Sequence, residues 1–565
     1  AARSSGETVD YLIITNDTLA PAFAPLVRWK KQKGVRTEVK TVEDIYSEYT
    51  DNSWSAQIKI KHCIEDYKSQ KQTCFVLLGG DAEIVPVQKC YSKVVSIKTD
   101  SITDRKDTTI YETLIPADVF YTSFDGDFGW DYNGNGIAGE VRVDSIDMSP
   151  DVNLTRIPVY TISDVNAFVS KTINHERCPP IETWKNRALF GGAKISSKYT
   201  ISGRDMSDSE YEGNMLYSNH FIDKWNGTRI RYYDTWSDYG NGVPALSATD
   251  FQNHLADGYS FINMDCHGTS LEWWFNSDVS YFETRARVLN CSQPSIITTS
   301  ACETNWFDYP YSADIMCLSE AFLRNPNSGV VGYIGSSRLG WSNKNQTSPP
   351  TELGTSAWIN SLFYDRLFSN SILDYHFGEV ITNVKSHMNL ADYYSTSRWL
   401  YFAVNPMGDC EMPVYTSTPK KMDSVILSFY SNGLYVDAGM DSCRICVMDL
   451  DNDSNYYVVR DNVSTETFYT LPDRYSVCVT KQDYVPFIME FERPFMTDGT
   501  YCIQNETLTG NQVINVSKVM IGSDVTTEKA TGPVTIEGGR TTINLGDVTI
   551  KNNFEVKRGA EFVIE

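Results

Sequence analysis

The first two-thirds of the chain alternates short apolar runs with stretches in which apolar residues recur at helical spacing. The apolar runs predict buried strands of a mainly parallel sheet, because the helices between such strands cover both faces of the sheet. These runs occupy residues 11–16, 75–80, 188–193, 260–268, 294–302 and 328–337. Helical spacing marks residues 23–33, 55–68, 313–324, 355–368 and 372–388. The pattern therefore predicts an α/β fold.

After residue 418 the hydrophobic period falls toward two, and turn residues recur at short intervals. This pattern predicts an all-β immunoglobulin-like sandwich over residues 419–495. The last segment contains a weak internal repeat, because Val534-Thr535-Ile536 is echoed by Val548-Thr549-Ile550. Residues 496–565 are therefore expected to form a short β-rich tail, a solenoid or a sheet-like cap, that packs on the sandwich.

Charge and composition exclude several classes of function. The chain has 49 Lys and Arg against 72 Asp and Glu, a net charge of −23 that disfavours binding to nucleic acid or anionic lipid. No apolar run approaches the roughly 18 residues of a transmembrane helix. The chain opens AARSSGETVD, with neither Met nor a hydrophobic signal core, so we expect a mature or trimmed soluble form. Thirteen cysteines are too sparse for a disulfide scaffold.

Residues 125–140 read DGDFGWDYNGNGIAGE, a loop rich in oxygen-bearing side chains. Alternating oxygen donors, a glycine at the turn and a later carboxylate are what a calcium ion requires, as in an EF-hand loop shortened by two residues. The alternative is a surface turn of Asx and Gly residues. We predict a structural Ca²⁺ site, with the ligands Asp125, Asp127, Asp131, Asn133, Asn135 and Glu140.

Two residues at strand ends suggest catalysis. His267 ends one apolar run and precedes Gly268, and Cys302 ends the next run. Carboxyl ends of neighbouring parallel strands meet at one edge of a sheet, where an imidazole could activate a thiol. The amides of Gly268 and Cys302 would then donate to the oxyanion. Each residue alone could be a buried structural side chain, but the pair predicts a cysteine nucleophile.

The segments Cys266-His267-Gly268, Glu272-Trp273 and Thr298-Thr299-Ser300-Ala301-Cys302 resemble the His-Gly and Ala-Cys strand ends of the gingipain family of cysteine peptidases, relatives of caspases and legumain. The likeness extends over about residues 8 to 495. Further segments fall in the family's order, at residues 78–81, 84–86, 118–121, 125–127, 155–158, 337–341 and 407–409.

The resemblance implies a caspase-like α/β catalytic unit of two side-by-side subdomains, residues 1–185 and 186–418, followed by the sandwich. It implies that His267 is the general base and Cys302 the nucleophile, acting on protein or peptide substrates. Relatives are exported and stabilised by calcium, which implies a secreted or cell-surface protein whose signal peptide is absent from this chain.

The resemblance also bears on the third catalytic residue. The family often has a carboxylate that orients the histidine, but residues 193–198 contain no acid here. Asp205 is the nearest replacement, and the alternative is a Cys/His dyad that acts without a carboxylate.

For specificity, Asp208 falls where arginine-specific relatives carry the arginine-recognising carboxylate, and Trp341 matches an aromatic wall of the same pocket. A buried carboxylate beneath an aromatic wall suits a guanidinium, so the resemblance implies cleavage after Arg. Asp208 could otherwise be one more solvated acid in an acidic segment.

Two other functions are compatible with the sequence. A transpeptidase would use the same acyl-enzyme and let an amine replace water in the second step. A catalytically silent, calcium-stabilised surface binding protein would keep the fold, and the tail would suit surface display.

Overall fold

The chain forms two compact units, one of Val9–Val27 and Thr37–Thr418, the other built chiefly from Arg28–Arg36 and Pro419–Glu565. The four predicted domains are a finer division and stay predictions. The computed structural model describes residues 8–99, 106–124, 129–234, 246–276, 279–309, 316–343, 348, 351–369, 375–388, 390, 392, 394–430, 433–492, 495–497, 500–544 and 547–565.

The first unit has the predicted α/β organisation. Its strands are β1 (Tyr11–Thr15), β2 (Thr37–Thr41), β3 (Phe75–Gly79), β4 (Lys89–Thr99), β5 (Lys106–Pro116), β6 (Asn153–Ile157), β7 (Arg187–Gly192), β8 (Lys198–Ile201), β9 (Arg204–Ser207), β10 (Thr228–Tyr233), β11 (Phe261–Asp265), β12 (His267–Thr269), β13 (Glu272–Asn276), β14 (Val279–Phe282), β15 (Ser295–Thr299), β16 (Val330–Ile334) and β17 (Met407–Gly408). The helices of the chain are α1 (Ala24–Gln32), α2 (Val42–Glu48), α3 (Ala56–Lys71), α4 (Ile162–Arg177), α5 (Asp208–His220), α6 (Ala248–Ala256), α7 (Glu283–Ala286), α8 (Leu318–Arg324), α9 (Thr355–Phe368), α10 (Phe377–Ser386) and α11 (Thr396–Ala403).

Ten of these strands form one sheet, in the order β10-β7-β11-β15-β16-β17-β6-β3-β1-β2. The short strand β17 joins two halves, since it runs antiparallel to β16 and parallel to β6. The other neighbours are parallel. The central strands are fully buried, because helices cover both faces of a sheet of this kind. The two joined halves agree with the side-by-side arrangement that the resemblance implied.

The apolar runs located the central strands to within a few residues, but they missed the ribbon of β4 and β5. These two strands pair with each other over eleven residue pairs, and Cys90 of β4 also forms a single bridge to Ala138. The first five residues of β5 are exposed, so no alternation of buried and exposed positions marks that part of the strand. The apolar run over residues 260–268 also proves to be two strands, because β12 leaves the large sheet and pairs with β13.

Apart from the end of helix α1, the described regular structure of the second unit is all β. Its strands are β18 (Ile426–Tyr430), β19 (Gly433–Asp437), β20 (Cys443–Asp449), β21 (Tyr457–Val463), β22 (Thr465–Tyr469), β23 (Arg474–Thr480), β24 (Phe487–Glu492), β25 (Phe495–Thr497), β26 (Thr500–Ile503), β27 (Glu506–Leu508), β28 (Asn511–Asn515), β29 (Lys518–Ile521), β30 (Val534–Ile536), β31 (Gly539–Asn544), β32 (Asp547–Ile550), β33 (Phe554–Val556) and β34 (Ala560–Ile564).

The tail strands stack in parallel as three columns, β26-β29-β32, β27-β30-β33 and β28-β31-β34. This is the arrangement of a short parallel β-solenoid, one of the two forms that the weak repeat suggested. Strand β28 also pairs with β18, so one column continues a sheet of the preceding β region. Leu427 and Val436 share a hydrophobic core with Ile514 and Ile543 of the tail. The immunoglobulin-like character of residues 419–495 stays a prediction.

Among the described residues, no helix combines the length and the apolar character that crossing a bilayer requires. None of the thirteen cysteines, all of which are among the described residues, forms a disulfide.

Candidate active site

The predicted catalytic pair lies at the carboxyl edge of the large sheet. Strands β11 and β15 are parallel neighbours, with Met264 opposite Thr299. His267 follows β11 as the first residue of β12, and Cys302 follows the end of β15. The contact is close, because a Cβ atom added to Gly268 would lie 3.0 Å from the carbonyl oxygen of Cys302 and 3.0 Å from Ala301 Cβ. Only glycine allows the His-Gly segment to lie this near the Ala-Cys segment.

One nitrogen of the His267 ring is committed to the main chain. His267 Nε2 lies 2.8 Å from the carbonyl oxygen of Ile195, in the segment that follows β7. A carbonyl oxygen only accepts hydrogen bonds, so Nε2 carries a proton, and in the neutral ring Nδ1 then has the lone pair. The ring is exposed and therefore accessible to substrate. The geometry gives His267 the tautomer of a general base.

The sulfur of Cys302 receives a main-chain donor. The Gly340 N–H donates to Cys302 Sγ at 3.2 Å, from the loop that follows β16. A donor aimed at sulfur stabilises negative charge there, as a thiolate nucleophile requires. Gly340 comes this close because it has no side chain, since an added Cβ would lie 2.6 Å from the Ser300 carbonyl oxygen. Glu303, which follows Cys302, has a left-handed φ of 61° and donates its N–H to the Arg338 carbonyl.

Cys302 differs from the other cysteines in its surroundings. Ten of the thirteen are buried, Cys74 and Cys178 are exposed, and Cys302 is half-buried at the sheet edge. Burial raises the pKa of the neighbouring Cys266 well above its usual value, which keeps that thiol protonated. Cys266 is therefore a poor nucleophile although it adjoins His267.

The segment that contains the Ile195 carbonyl is hydrogen-bonded to Asp208, the first residue of helix α5. The Asp208 carboxylate accepts main-chain N–H bonds from Ile195 at 2.9 Å, Ser196 at 2.7 Å and Ser197 at 2.8 Å. It also accepts the Ser196 hydroxyl at 3.1 Å and the Ser209 N–H at 3.1 Å. In return, the Asp208 N–H donates to the Ser197 carbonyl at 3.0 Å. Asp208 is 4% exposed, so it is not a solvated surface acid.

Asp205, the predicted third catalytic residue, has another partner. It lies on β9, where its carboxylate accepts the Thr200 hydroxyl at 2.6 Å across the β8–β9 hairpin. The structure thus joins His267 to the Ile195 carbonyl and Asp205 to Thr200. A catalytic role for Asp205 stays a prediction.

Trp341 follows Gly340 directly and is nearly buried. Its ring stands edge-on to Tyr111 of β5, with ring centroids 5.2 Å apart, and to Trp399 of α11, at 5.7 Å. The main-chain N–H of Trp341 donates to Ser356 Oγ at 2.8 Å. The two ring contacts fix the orientation of the Trp341 side chain directly after Gly340, the residue that donates to Cys302 Sγ.

A second buried carboxylate, Glu212, lies one turn after Asp208 on helix α5. Glu212 is 4% exposed, and it accepts the Gly354 N–H at 3.3 Å. Gly354 itself packs against the main chain of Ser342 and Asn343, just beyond Trp341. Burial, together with the nearby charges of Asp265 and Asp208, raises the pKa of Glu212 to about 8. Burial likewise raises the pKa of Asp265 to about 6.

The described part of the predicted calcium loop is a series of Asx turns. Asp131 accepts the N–H groups of Asn135 at 3.0 Å and Gly136 at 2.8 Å. The side-chain amides of Asn133 and Asn135 both donate to Glu140 Oε2, at 3.0 and 2.7 Å. The loop therefore gathers the side chains of its four described ligand candidates. Asp125 and Asp127 lie outside the described residues.

Sequence reasoning missed two features of the site. The Ile195 carbonyl is a main-chain group, which no residue type reveals. Glu212 was detectable, because residues four apart share a helix face and Asp208 was already singled out.

The model of peptidase family C25 matches residues 4–415. Among curated proteins, gingipain R2 of Porphyromonas gingivalis (strain ATCC BAA-308 / W83) is 24% identical over 309 residues, which is 54% of this chain and 33% of that protein. Gingipain R1 of Porphyromonas gingivalis has the same identity over 54% of this chain and 24% of its own length. The chain thus spans about a third or less of the length of these relatives.

Two solved structures have a similar fold. The crystal structure of the Arg-specific cysteine proteinase gingipain R superposes with a TM-score of 0.62 at 19% identity, over 86% of this chain and 99% of that chain. The complex of the pro- and mature domains of RgpB from Porphyromonas gingivalis gives a TM-score of 0.59 at 18% identity, over 85% and 99% of the two chains. The predicted resemblance to gingipains and the caspase-like catalytic fold are confirmed.

Proposed function

Because the chain belongs to peptidase family C25, we propose that it is a cysteine endopeptidase in which Cys302 is the nucleophile and His267 the general base. The observation that carries this proposal is the hydrogen bond from His267 Nε2 to the Ile195 carbonyl. It leaves Nδ1 as the basic nitrogen of a histidine that stands at the strand end beside Cys302.

In the proposed mechanism, His267 Nδ1 takes the proton of the Cys302 thiol. The sulfur attacks the scissile carbonyl carbon, and the N–H groups of Gly268 and Cys302 donate to the resulting oxyanion. His267 then returns the proton to the leaving amine as the C–N bond breaks. Water hydrolyses the thioester and releases the acid and the free thiol.

The proposed substrates are peptides with a basic P1 residue, preferably Arg. Asp208 and Glu212 place two carboxyl groups near the segment that runs from Trp341 to Asn343. A guanidinium beside Glu212 would favour the charged carboxylate, which the buried site otherwise disfavours. Trp341 offers the flat face on which a guanidinium can stack.

A panel of fluorogenic peptides that differ only at P1 tests this specificity. With calcium and reductant present, we expect kcat/KM for Arg and Lys peptides to exceed that for Ala, Asn and Asp peptides by about 100-fold or more, because a buried acid left without its cation is costly.

The Glu212→Gln variant tests the role of this carboxyl group, since Gln keeps the shape of the side chain and cannot carry the charge. We expect it to lose most of the preference for Arg over Ala. Equal turnover of Ala and Arg peptides by the wild-type protein would contradict a basic P1 site.

We also propose that the loop over residues 129–140 binds a structural calcium ion. Its ligand atoms would be oxygens, which a hard cation prefers. Asp131, Asn133 and Asn135 alternate along the loop, and the carboxylate of Glu140 follows them. The convergence of both asparagine side chains on Glu140 supports the proposal, because rotation of the two amides would bring four oxygen-bearing groups together. The ion would stabilise the loop and has no part in the reaction.

Thermal unfolding with and without calcium tests this site. Free calcium at a concentration 100 times the Kd of the site adds about 2.7 kcal/mol to the free energy of unfolding. Removing calcium with a chelator should therefore lower Tm. Asp131→Ala should remove the dependence on calcium. Asp451→Ala, which alters an exposed turn of the second unit, should keep it. An equal calcium response in wild type and Asp131→Ala would contradict the site.

A further inference from the structure

The orientation of His267 depends on a main-chain group, and that group has its own support. The Ile195 carbonyl follows strand β7 and lies in a segment that is not part of any strand or helix. A carbonyl in such a segment holds a histidine only as firmly as the segment itself is held. The contacts of residues 193–197 therefore decide how well His267 is aligned.

Helix α5 provides most of that support. Asp208 accepts the three consecutive N–H groups of residues 195–197 and donates its own N–H to the Ser197 carbonyl. The next residue, Ser209, donates its hydroxyl to the Ala193 carbonyl. One carboxylate therefore binds three consecutive N–H groups of this turn, and the Ile195 carbonyl contacts His267.

The same contacts limit what else Asp208 can do. A carboxylate has about four lone-pair sites, and Asp208 already accepts five hydrogen bonds. A bidentate guanidinium would have to displace some of these donors. Glu212, by contrast, accepts the Gly354 N–H, and Gly354 packs against the main chain of Ser342 and Asn343 beyond Trp341.

We propose that Asp208 is a positioning residue for catalysis: its carboxylate fixes the turn at residues 195–197, so that the Ile195 carbonyl holds His267 in its basic tautomer. In this chain a main-chain carbonyl and the carboxylate behind it do the work of a histidine-orienting acid. This inference rests on the proposed function, because it concerns the alignment of the same Cys/His pair.

The test measures the Cys302 thiol without any peptide. Iodoacetamide is small and neutral and does not fill a P1 pocket, so its rate of reaction with Cys302 reports on the Cys/His pair alone. The rate is followed by mass spectrometry of the Cys302 peptide in wild type, Asp208→Ala and Asp208→Asn. Misplacement of a catalytic group by about 1 Å costs up to roughly 100-fold. We expect the alkylation of Cys302 to be about 10- to 100-fold slower in Asp208→Ala than in wild type. The decrease should be smaller in Asp208→Asn, because the side-chain oxygen of Asn can still accept hydrogen bonds from some of the N–H groups of residues 195–197.

Asp164→Ala is the matched control. Asp164 lies in the first turn of α4, and its carboxylate accepts the N–H groups of Tyr160 and Thr161. Its removal destabilises a helix start in the same way but leaves the turn at residues 195–197 intact, so Cys302 should react at the wild-type rate. Circular dichroism verifies that each variant is folded. If Asp208→Ala does not fold, the alkylation rate of Asp208→Asn is compared with that of wild type instead.

Peptide kinetics separate positioning from substrate binding. A positioning residue lowers kcat for Arg and Ala peptides alike and leaves KM nearly unchanged. Unchanged alkylation of Cys302 in both Asp208 variants, with a loss of the Arg preference, would overturn the inference and make Asp208 a P1 carboxylate. Slower alkylation in Asp205→Ala but not in Asp208→Ala would overturn it in favour of Asp205. A protein that hydrolyses no peptide at all would contradict the proposed function, while the alkylation rates would still test the positioning of His267.

Discussion

Replacing Cys302 by Ala should abolish peptide hydrolysis, with a fall in kcat of at least about 1,000-fold. Removing the nucleophile of a covalent mechanism costs this much or more, because the remaining groups can only polarise the substrate. Substrate binding should survive, since the Trp341 wall and the buried acids are unchanged. The measurement is kcat and KM on an Arg peptide, together with the affinity of the variant for a non-cleavable analogue.

Cys266→Ala is the informative control for this prediction. Cys266 adjoins His267 in sequence, but it is buried and burial raises its pKa well above the usual value. Its removal should leave a methyl-sized gap and most of the activity. Loss of activity in Cys266→Ala with normal turnover in Cys302→Ala would reverse the assignment of the nucleophile.

The largest expected effect on stability comes from Asp118→Ala. Asp118 binds Arg156 through two hydrogen bonds of 2.7 Å, and the side chains are 3% and 0% exposed. Arg156 also donates to the carbonyls of Gly80 and Val85, and its N–H reaches the Pro406 carbonyl beside β17. Removing the carboxylate leaves a buried, uncompensated guanidinium, which costs about 3–5 kcal/mol.

Urea unfolding followed by circular dichroism measures this loss in the first unit. The Asp451–Arg474 pair provides the comparison, because its side chains are 56% and 50% exposed and such pairs contribute about 1 kcal/mol or less. A fall of less than about 1 kcal/mol in Asp118→Ala would mean that the Arg156 charge finds another partner or water.

The proposed catalytic pair could be predicted from sequence because its signal is local. His267 and Cys302 each end an apolar run, and parallel strands bring their carboxyl ends to one edge whatever the details of packing. The pair also lies next to small residues, which the close approach of Gly268 to Cys302 requires. Pattern and chemistry therefore pointed to the same two positions.

The groups that position this pair, the Ile195 carbonyl and the Asp208 carboxylate, could not be identified from sequence in the same way. Any residue type can present a carbonyl, so Ile195 carries no mark of its contact with His267. Asp208 was singled out by likeness to an acidic segment, but its bonds to residues 195–197 depend on how α5 begins against the end of β7. The Asp118–Arg156 pair shows the same limit, since its two members were recognised as separate motifs and only the fold reveals their contact.

The most direct test of the central claim is covalent capture of the nucleophile by a substrate-like electrophile. The chain is incubated with a peptide acyloxymethyl ketone that ends in Arg, and the modified residue is identified by mass spectrometry. We predict one adduct per chain, on Cys302, and a strongly reduced rate of labelling in His267→Ala. Adducts on the exposed Cys74 or Cys178 in place of Cys302, or labelling of Cys302 at the same rate without His267, would contradict the account.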